Sequence, residues 1–287
     1  MNKSMSEAAR MKLRLTRTVC YIVLILISLM CLFSFYVLII NSTRSHPDIQ
    51  KGFSFLPGSS FFYNLNNLLA NDNLPVVKAI FNSLFISGCT AAVATYFSAL
   101  TAYAIHAYDF RFKRVAFTFI MMIMMVPTQV TALGFVRLMG DFHLIDTFIP
   151  LIVPSVASPI VFFFMKQYME AMLPLAIVEA ARIDGSNEFR TFNRIVLPIM
   201  KPALAVQGIF CFVNSWNCYF IPSLILKSTD NKTVPLLIAQ LRNADFLKFD
   251  MGQVYMLITI AIVPIIIVYL LLSKFIIRGI ALGSVKG

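Results

Sequence analysis

"VEAARIDGSNEFRTFNRIVLPIMKP", Val178 to Pro202, is the stretch on which the reading of this chain turns. It carries Glu179, Arg182, Asp184, Glu188, Arg190, Arg194 and Lys201, and it lies between two long apolar runs. Of the 287 residues, 59% are hydrophobic and only 13% are charged. A soluble globular chain carries about 25% charged residues, so such a dense charged island is out of keeping with its surroundings. It reads as a segment in water joining segments that are not.

Outward from the island, the apolar residues come in uninterrupted blocks. Val19 to Ile40 gives 22 residues without a charge, and Val254 to Ser273 gives 20. About 20 apolar residues rising 1.5 Å each cross a hydrocarbon core of roughly 30 Å. The fold class is therefore all-α: a polytopic membrane protein with six transmembrane helices, at 19–40, 78–105, 115–138, 148–165, 203–226 and 252–273. A basic segment (Arg10, Lys12, Arg14, Arg17) precedes the first block, as in a secretory signal. Its apolar length exceeds the roughly 7–15 residues of a signal core, so it reads as an uncleaved helix.

Lys and Arg flanking the spans set the orientation. With the N-terminal segment 1–18 inside, segments 106–114, 166–202 and the tail 274–287 are also inside, and the loop 41–77 is outside. The inner segments then hold 16 of the 24 basic residues and 6 of the 13 acidic ones, a net +10 of the total +11. Both termini and the opening stretch face the cytoplasm. The basic balance is thus a topology signal; nucleic-acid binding would gather it on one soluble face. All five cysteines fall within spans, and no CxxC, HExxH or histidine cluster appears, so neither a disulfide framework nor a metal site is expected.

Within the charged stretch, Pro174 suits a first helical turn and Gly185 a helix stop at positive φ. Ser186 is placed to cap a second short helix across 187–196, which Pro198 and Pro202 should end before the fifth span. On an arbitrary membrane protein such a loop would be a solvated amphipathic connector. In the second span, Ser83, Ser87, Thr90, Ala94, Ser98 and Thr101 form a small-residue stripe that suits close helix packing more than a hydrated path. In the fifth, Gln207, Asn214 and Asn217 share a helical face, and amides at that depth need partners or water. They are the candidate substrate path, with Gln129 beside Pro127 as a weaker one. Trp216 points away and suits packing against protein or anchoring in the outer half of the bilayer more than stacking on a sugar.

The spacing of the loop carries a resemblance. Glu179, Ala180, Ala181, Gly185, Ile195, Leu197 and Pro198 resemble the EAA loop of bacterial ABC-importer permeases at every signature position. "SWNCYFIPSLIL" (Ser215 to Leu226) looks like that family's fifth-span segment, although Cys218 departs from it. "FSFLPGSSFFYNLNNLL", "TVPLLIAQL", "FDMGQVYMLITIAIVP" and "IIRGIALGSVKG" are similar to its carbohydrate branch, the maltose-type and sugar-phosphate importers.

The resemblance implies a type I transmembrane domain over 78–273 with a coupling loop at 169–201, in a bacterial cytoplasmic membrane. It implies a homologous second permease subunit, two copies of a cytoplasmic ATPase and an external binding protein as partners. ATP and Mg would belong to the ATPase, because this chain has no GxxxxGK[ST] loop and no cofactor of its own. The seven signature residues would meet the ATPase, and transport of a sugar or oligosaccharide would follow alternating access. The competing readings are an ATP-independent transporter or channel, which normally carries charged residues at depth, and an intramembrane enzyme, which needs a nucleophile and base there. No charged residue lies near the middle of a span, and His46, His106 and His143 lie at or beyond span ends.

Overall fold

The computed structural model describes residues 7–71, 73–243 and 249–283. Among them there is no strand, and five helices are long and apolar enough to cross a membrane, or six if one sharply bent pair is a single span. The extreme ends of the expected cytoplasmic segments, 1–6 and 284–287, lie outside the described residues. The chain divides into two compact units, Met1–Ala70 with Asp245–Thr259, and Asn71–Ala244 with Ile260–Gly287.

In the first unit, α1 (Glu7–Ser42) contains the first apolar block, and its side chains from Leu13 to Tyr36 are exposed. A helix apolar all round is what lipid demands. At its end the chain becomes polar and folds on itself. The Arg44 guanidinium donates to Asn41 Oδ1 (3.1 Å), to Gly52 O (2.9 Å) and to Asp48 O, bracing α2 (His46–Gln50). Asn64, buried on α3 (Phe61–Leu69), donates to the carbonyls of Ser42 and Arg44 at 2.9 Å each. Those carbonyls end α1, where helical partners run out.

The second unit is built on α4 (Val76–Ala107), whose small residues let neighbours approach. Ala94, Ser98, Ala99 and Ala102 are buried on it. The expected third span, 115–138, is instead two helices, α5 (Lys113–Ile123) and α6 (Thr128–Asp141), meeting at 95°. Pro127 causes the break: it lacks an N–H, sits in extended conformation (ψ 131°), and disfavours helical geometry at Val126. The fourth span is also segmented. Helix α7 (Ile149–Ile152) passes through a 3-10 turn, Val153–Ala157, into α8 (Pro159–Met172), so the helix extends past 165 and carries Lys166 and Glu170 paired on its last turns.

After α9 (Leu175–Ile183), α10 (Glu188–Thr191) runs without interruption into a π-helical turn, Phe192–Val196, and α11 (Leu197–Trp216). The expected stop at Pro198 and Pro202 does not occur. The wide turn, in which Leu197 N–H donates to Phe192 O, opens the ladder just where Pro198 has no donor to offer, and Pro202 is carried inside the helix. The fifth span thus begins at Glu188 and ends at Trp216, short of the expected 226; a break and the short α12 (Phe220–Ile225) follow. Helix α13 (Val234–Arg242) completes the outer connection, and α14 (Met251–Gly283), the sixth span, passes through Pro264.

Candidate functional site: a charged loop and an uncharged chamber

The charged stretch folds as two helices around one turn. Helix α9 is capped by Pro174 and buries Ala181 (5% exposed) and Val178 (1%), the latter in one cluster with Met169, Leu173, Phe192 and Val196. Its end satisfies carbonyls in a Schellman arrangement: Ser186 N–H donates to Ala181 O and Gly185 N–H to Arg182 O, both at 3.0 Å. That turn needs Gly185 at φ +77°, and the space beside its Cα is open, so the requirement lies in the backbone alone. The cap of α10 is Asn187, whose Oδ1 accepts from Arg190 N–H at 2.8 Å. Ser186, expected in that role, sits in the turn and its hydroxyl accepts from Thr191 instead (2.9 Å).

The seven signature residues divide by exposure. Glu179, Ala180, Gly185 and Pro198 are exposed, Ile195 and Leu197 are half-buried, and Ala181 is turned into the chain's own core. Exposed large apolar groups, Ile183 (86%) and Phe189 (72%), flank the turn. No sequence pattern announces what holds this loop. Arg182 Nε donates to Glu188 Oε1 (2.7 Å), and Tyr103, from the C-terminal end of α4, donates to Glu188 Oε2 (2.8 Å). The Arg182 guanidinium stacks 4.9 Å above the Tyr108 ring, and burial, then the Glu188 carboxylate, raises the Tyr108 phenol above its usual range. His106 Nε2 bonds Leu173 O at 3.0 Å, a further tie to α4.

In the same unit lies a chamber of about 1,120 Å³ between α4, α6, the 3-10 turn, α8 and α11. Its wall is mostly apolar, with Phe135, Phe164 and Phe210, and none of its described lining residues is charged. Gln207 and Asn214 line it, as their shared face suggested. Asn217 does not: the helix ends at Trp216, and Asn217 folds its amide back onto Val213 O (3.0 Å) as the helix cap. Gln129 is exposed and outside the lining, although its neighbours Thr128 and Thr131 belong to it. Ser83, Ser87, Thr90 and Ala94 of the small-residue stripe face the chamber, while Ser98 packs, donating to Ser158 O (3.3 Å); the stripe does both jobs. Trp216 is buried and stacks on Phe212 at 5.8 Å.

Several lining groups have no protein partner among the described residues: the side chains of Ser87, Gln207, Asn214 and Ser215, and the buried Thr233 Oγ1. Of these, Thr233 Oγ1 is the one fully buried unpaired atom, and such a group costs about 1–3 kcal/mol unless water or a ligand completes it; the others face the open space of the chamber. Such a wall offers hydrogen bonds to a neutral hydroxylated guest and no ion pair to an anionic one. Thr233 was missed from the sequence because it reaches the chamber from the outer connection, where Ser83 also accepts from Val234 N–H (2.9 Å).

Between α6 and α7, Asp146, at φ +62°, receives Lys227 N–H (2.8 Å) and Ser228 N–H (3.0 Å) on Oδ1, while its carbonyl accepts from Asn231 (2.7 Å). Burial pushes its carboxyl up, but the two backbone donors outweigh that and hold it below the usual carboxylate value.

The family model described as "Binding-protein-dependent transport system inner membrane component" matches residues 97–281. The arabinooligosaccharides transport system permease protein AraQ of Bacillus subtilis (strain 168) is 33% identical over 268 residues, 91% of this chain and 93% of that protein. The lactose transport system permease protein LacG of Rhizobium radiobacter is 29% identical, covering 95% and 97%. An sn-glycerol-3-phosphate transport system permease protein of Yersinia enterocolitica is 27% identical over 91% and 94%. The fold is similar to a chain in the crystal structure of a bacterial ABC transporter involved in the import of the acidic polysaccharide alginate. There the TM-score is 0.79 at 22% identity, covering 95% of this chain and 99% of that one.

Proposed function

Since the chain belongs to the family of binding-protein-dependent transport system inner membrane components, we propose that it moves a neutral carbohydrate inward, driven by ATP hydrolysed on a separate subunit. Family membership makes it a multi-pass membrane permease subunit and not an enzyme, and sets aside the ATP-independent transporter. The observation that carries the substrate is the chamber wall, with hydroxyls and amides left unpartnered and no charged side chain among its described residues. Relatives named for arabinooligosaccharides and lactose handle neutral sugars, whereas those named for sn-glycerol-3-phosphate and alginate handle anions. The wall chemistry sides with the former pair.

The partners are a homologous permease, two ATPase copies that hold ATP and Mg, and an external binding protein that delivers the substrate. Both termini and the loop at 169–201 lie in the cytoplasm, as the excess of basic residues there supports. The loop docks on the ATPase through the face bearing Glu179, with Ile183 and Phe189 as apolar anchors beside it. When ATP closes the ATPase pair, the docked loops move and the chamber turns outward to receive the sugar; after hydrolysis it opens inward.

The test is competition in cells expressing the whole importer. Uptake of a labelled neutral oligosaccharide should be blocked by neutral oligosaccharides and unaffected by sugar phosphates or uronates. Uptake of a sugar phosphate at a comparable rate would end the neutral-substrate reading.

A further inference from the structure

We infer that Glu188 is a positioning residue, clamped by Arg182 and Tyr103, through which movement of the loop is passed at once to α4 and α11, two of the helices that line the chamber. The inference rests on the proposed docking of the loop and goes beyond the seven signature residues, none of which takes part in the clamp.

Each oxygen of the Glu188 carboxylate is engaged by a different element. Oε1 accepts from Arg182 on the last turn of α9, and Oε2 accepts from Tyr103 on α4. Charge-assisted bonds of this kind are short and directional, and two on one carboxylate fix its position. Glu188 is itself the first residue of α10, and from there one uninterrupted helical rod runs to Trp216, carrying Gln207 and Asn214. Tyr103 lies on the same helix as Ser83, Ser87 and Thr90, which face the chamber. A displacement of α9 by an ATPase therefore reaches the α11 rod through the backbone of Glu188 and reaches α4 through its side chain.

The clamp is also backed from beneath. The Tyr103 ring is buried and lies 5.6 Å from Phe192 on the π turn, and the Arg182 guanidinium rests on Tyr108 just past the end of α4. Removing the Tyr103 hydroxyl should therefore leave the packing intact and take away only the bond.

The experiment uses the assembled importer in proteoliposomes, with Tyr103→Phe, Glu188→Ala and the double variant. The readout is the ratio of ATPase activity stimulated by loaded binding protein to basal activity, together with uptake. In each single variant, complex yield and basal hydrolysis should be as in wild type, while the ratio and uptake fall about tenfold, the scale of one lost hydrogen bond to a charged group. The double variant should be no worse than Glu188→Ala, because both remove the same link. Glu188→Gln, which keeps one acceptor oxygen and so only one of the two bonds, should restore part of the ratio. A wild-type ratio in Tyr103→Phe, multiplied effects in the double variant, or a loss of complex yield in step with the ratio would each overturn the clamp. Failure of the docking reading looks different: Glu179→Lys would then keep full stimulation, whatever Tyr103→Phe does.

Discussion

The loop and the chamber treat polar groups in opposite ways. In the loop, the Glu188 carboxylate, the turn carbonyls of Ala181 and Arg182 and the Asn187 side chain all have partners, and among its described buried side-chain atoms Arg182 Nη2 alone lacks one. In the chamber, amides and hydroxyls at Gln207, Asn214, Ser87 and Thr233 point from an apolar wall with no protein partner. Satisfied polar groups hold a shape; unsatisfied ones at membrane depth wait for something to bind. A transporter needs both, a rigid part to receive force and an adaptable part to hold and release its cargo.

The largest expected effect falls on the proposed docking face. Glu179→Lys reverses an exposed charge without touching the core beneath it, so the chain should insert and assemble normally. Repulsion in a contact that becomes buried on docking should cut uptake by about a hundredfold or more. Co-purification of the ATPase and a transport assay measure it, and wild-type uptake would remove Glu179 from the docking face.

Next comes the stiffness of the turn. Gly185→Val places a β-branched residue at φ +77°, where an L-residue already costs about 1–2 kcal/mol, and it should misalign α9 and α10. Uptake should fall roughly tenfold or more. Gly185→Asn should do less harm, since Asn tolerates the left-handed region and open space receives its side chain. Equal loss in both variants would mean that the turn needs glycine for a close approach made by a partner, not for its backbone.

The chamber should respond differently, in substrate affinity and not in coupling. Gln207→Leu and Asn214→Leu should each raise the substrate concentration for half-maximal uptake about tenfold, the value of one hydrogen bond to a hydroxyl, and leave complex yield unchanged. Asn217→Leu should raise it little, because its amide is spent on Val213 O. If Asn217→Leu proves the most damaging of the three, the sugar path does not run through this chamber.

What could be read from sequence alone follows a physical line. Spans 19–40, 78–105 and 252–273 and the Gly185 turn are encoded locally, in apolar length and in one residue's φ, and helices long and apolar enough to cross a membrane and a positive-φ glycine lie at those places. Prolines were misread in both directions. Pro127 breaks a span expected to be continuous, whereas Pro198 and Pro202 are carried through a helix they were expected to end, because a π turn beside Pro198 absorbs its missing donor. Asn217 was placed on the chamber face by helical geometry that stops one residue before it. The Tyr103–Glu188 bond joins residues 85 apart, and Asp146 meets Lys227 across 81. No local pattern announces such pairs; only the fold brings them together.

The smallest effect is expected at Asp146, which extends the contrast to the outer side as a polar group that is satisfied yet near water. Its carboxylate is held below the usual value by the backbone donors of Lys227 and Ser228, against the opposing push of burial. A depressed carboxylate stabilises the fold above its unfolded value of about 3.9, and that contribution is lost only as pH falls through the lower folded value. The outer connection should therefore keep its thermal stability unchanged between about pH 5 and 8 and loosen only in stronger acid, below about pH 4. Asp146→Asn keeps an oxygen for both donors and tolerates φ +62°, so it should cost a few tenths of a kcal/mol and flatten the acid response. Asp146→Ala loses both bonds and strains the same backbone, and should cost about 1–2 kcal/mol. Melting of the purified chain in detergent across that pH series measures both. If Asp146→Asn melts like Asp146→Ala at neutral pH, the negative charge itself holds the outer connection, and the geometry of two donors on one oxygen is secondary.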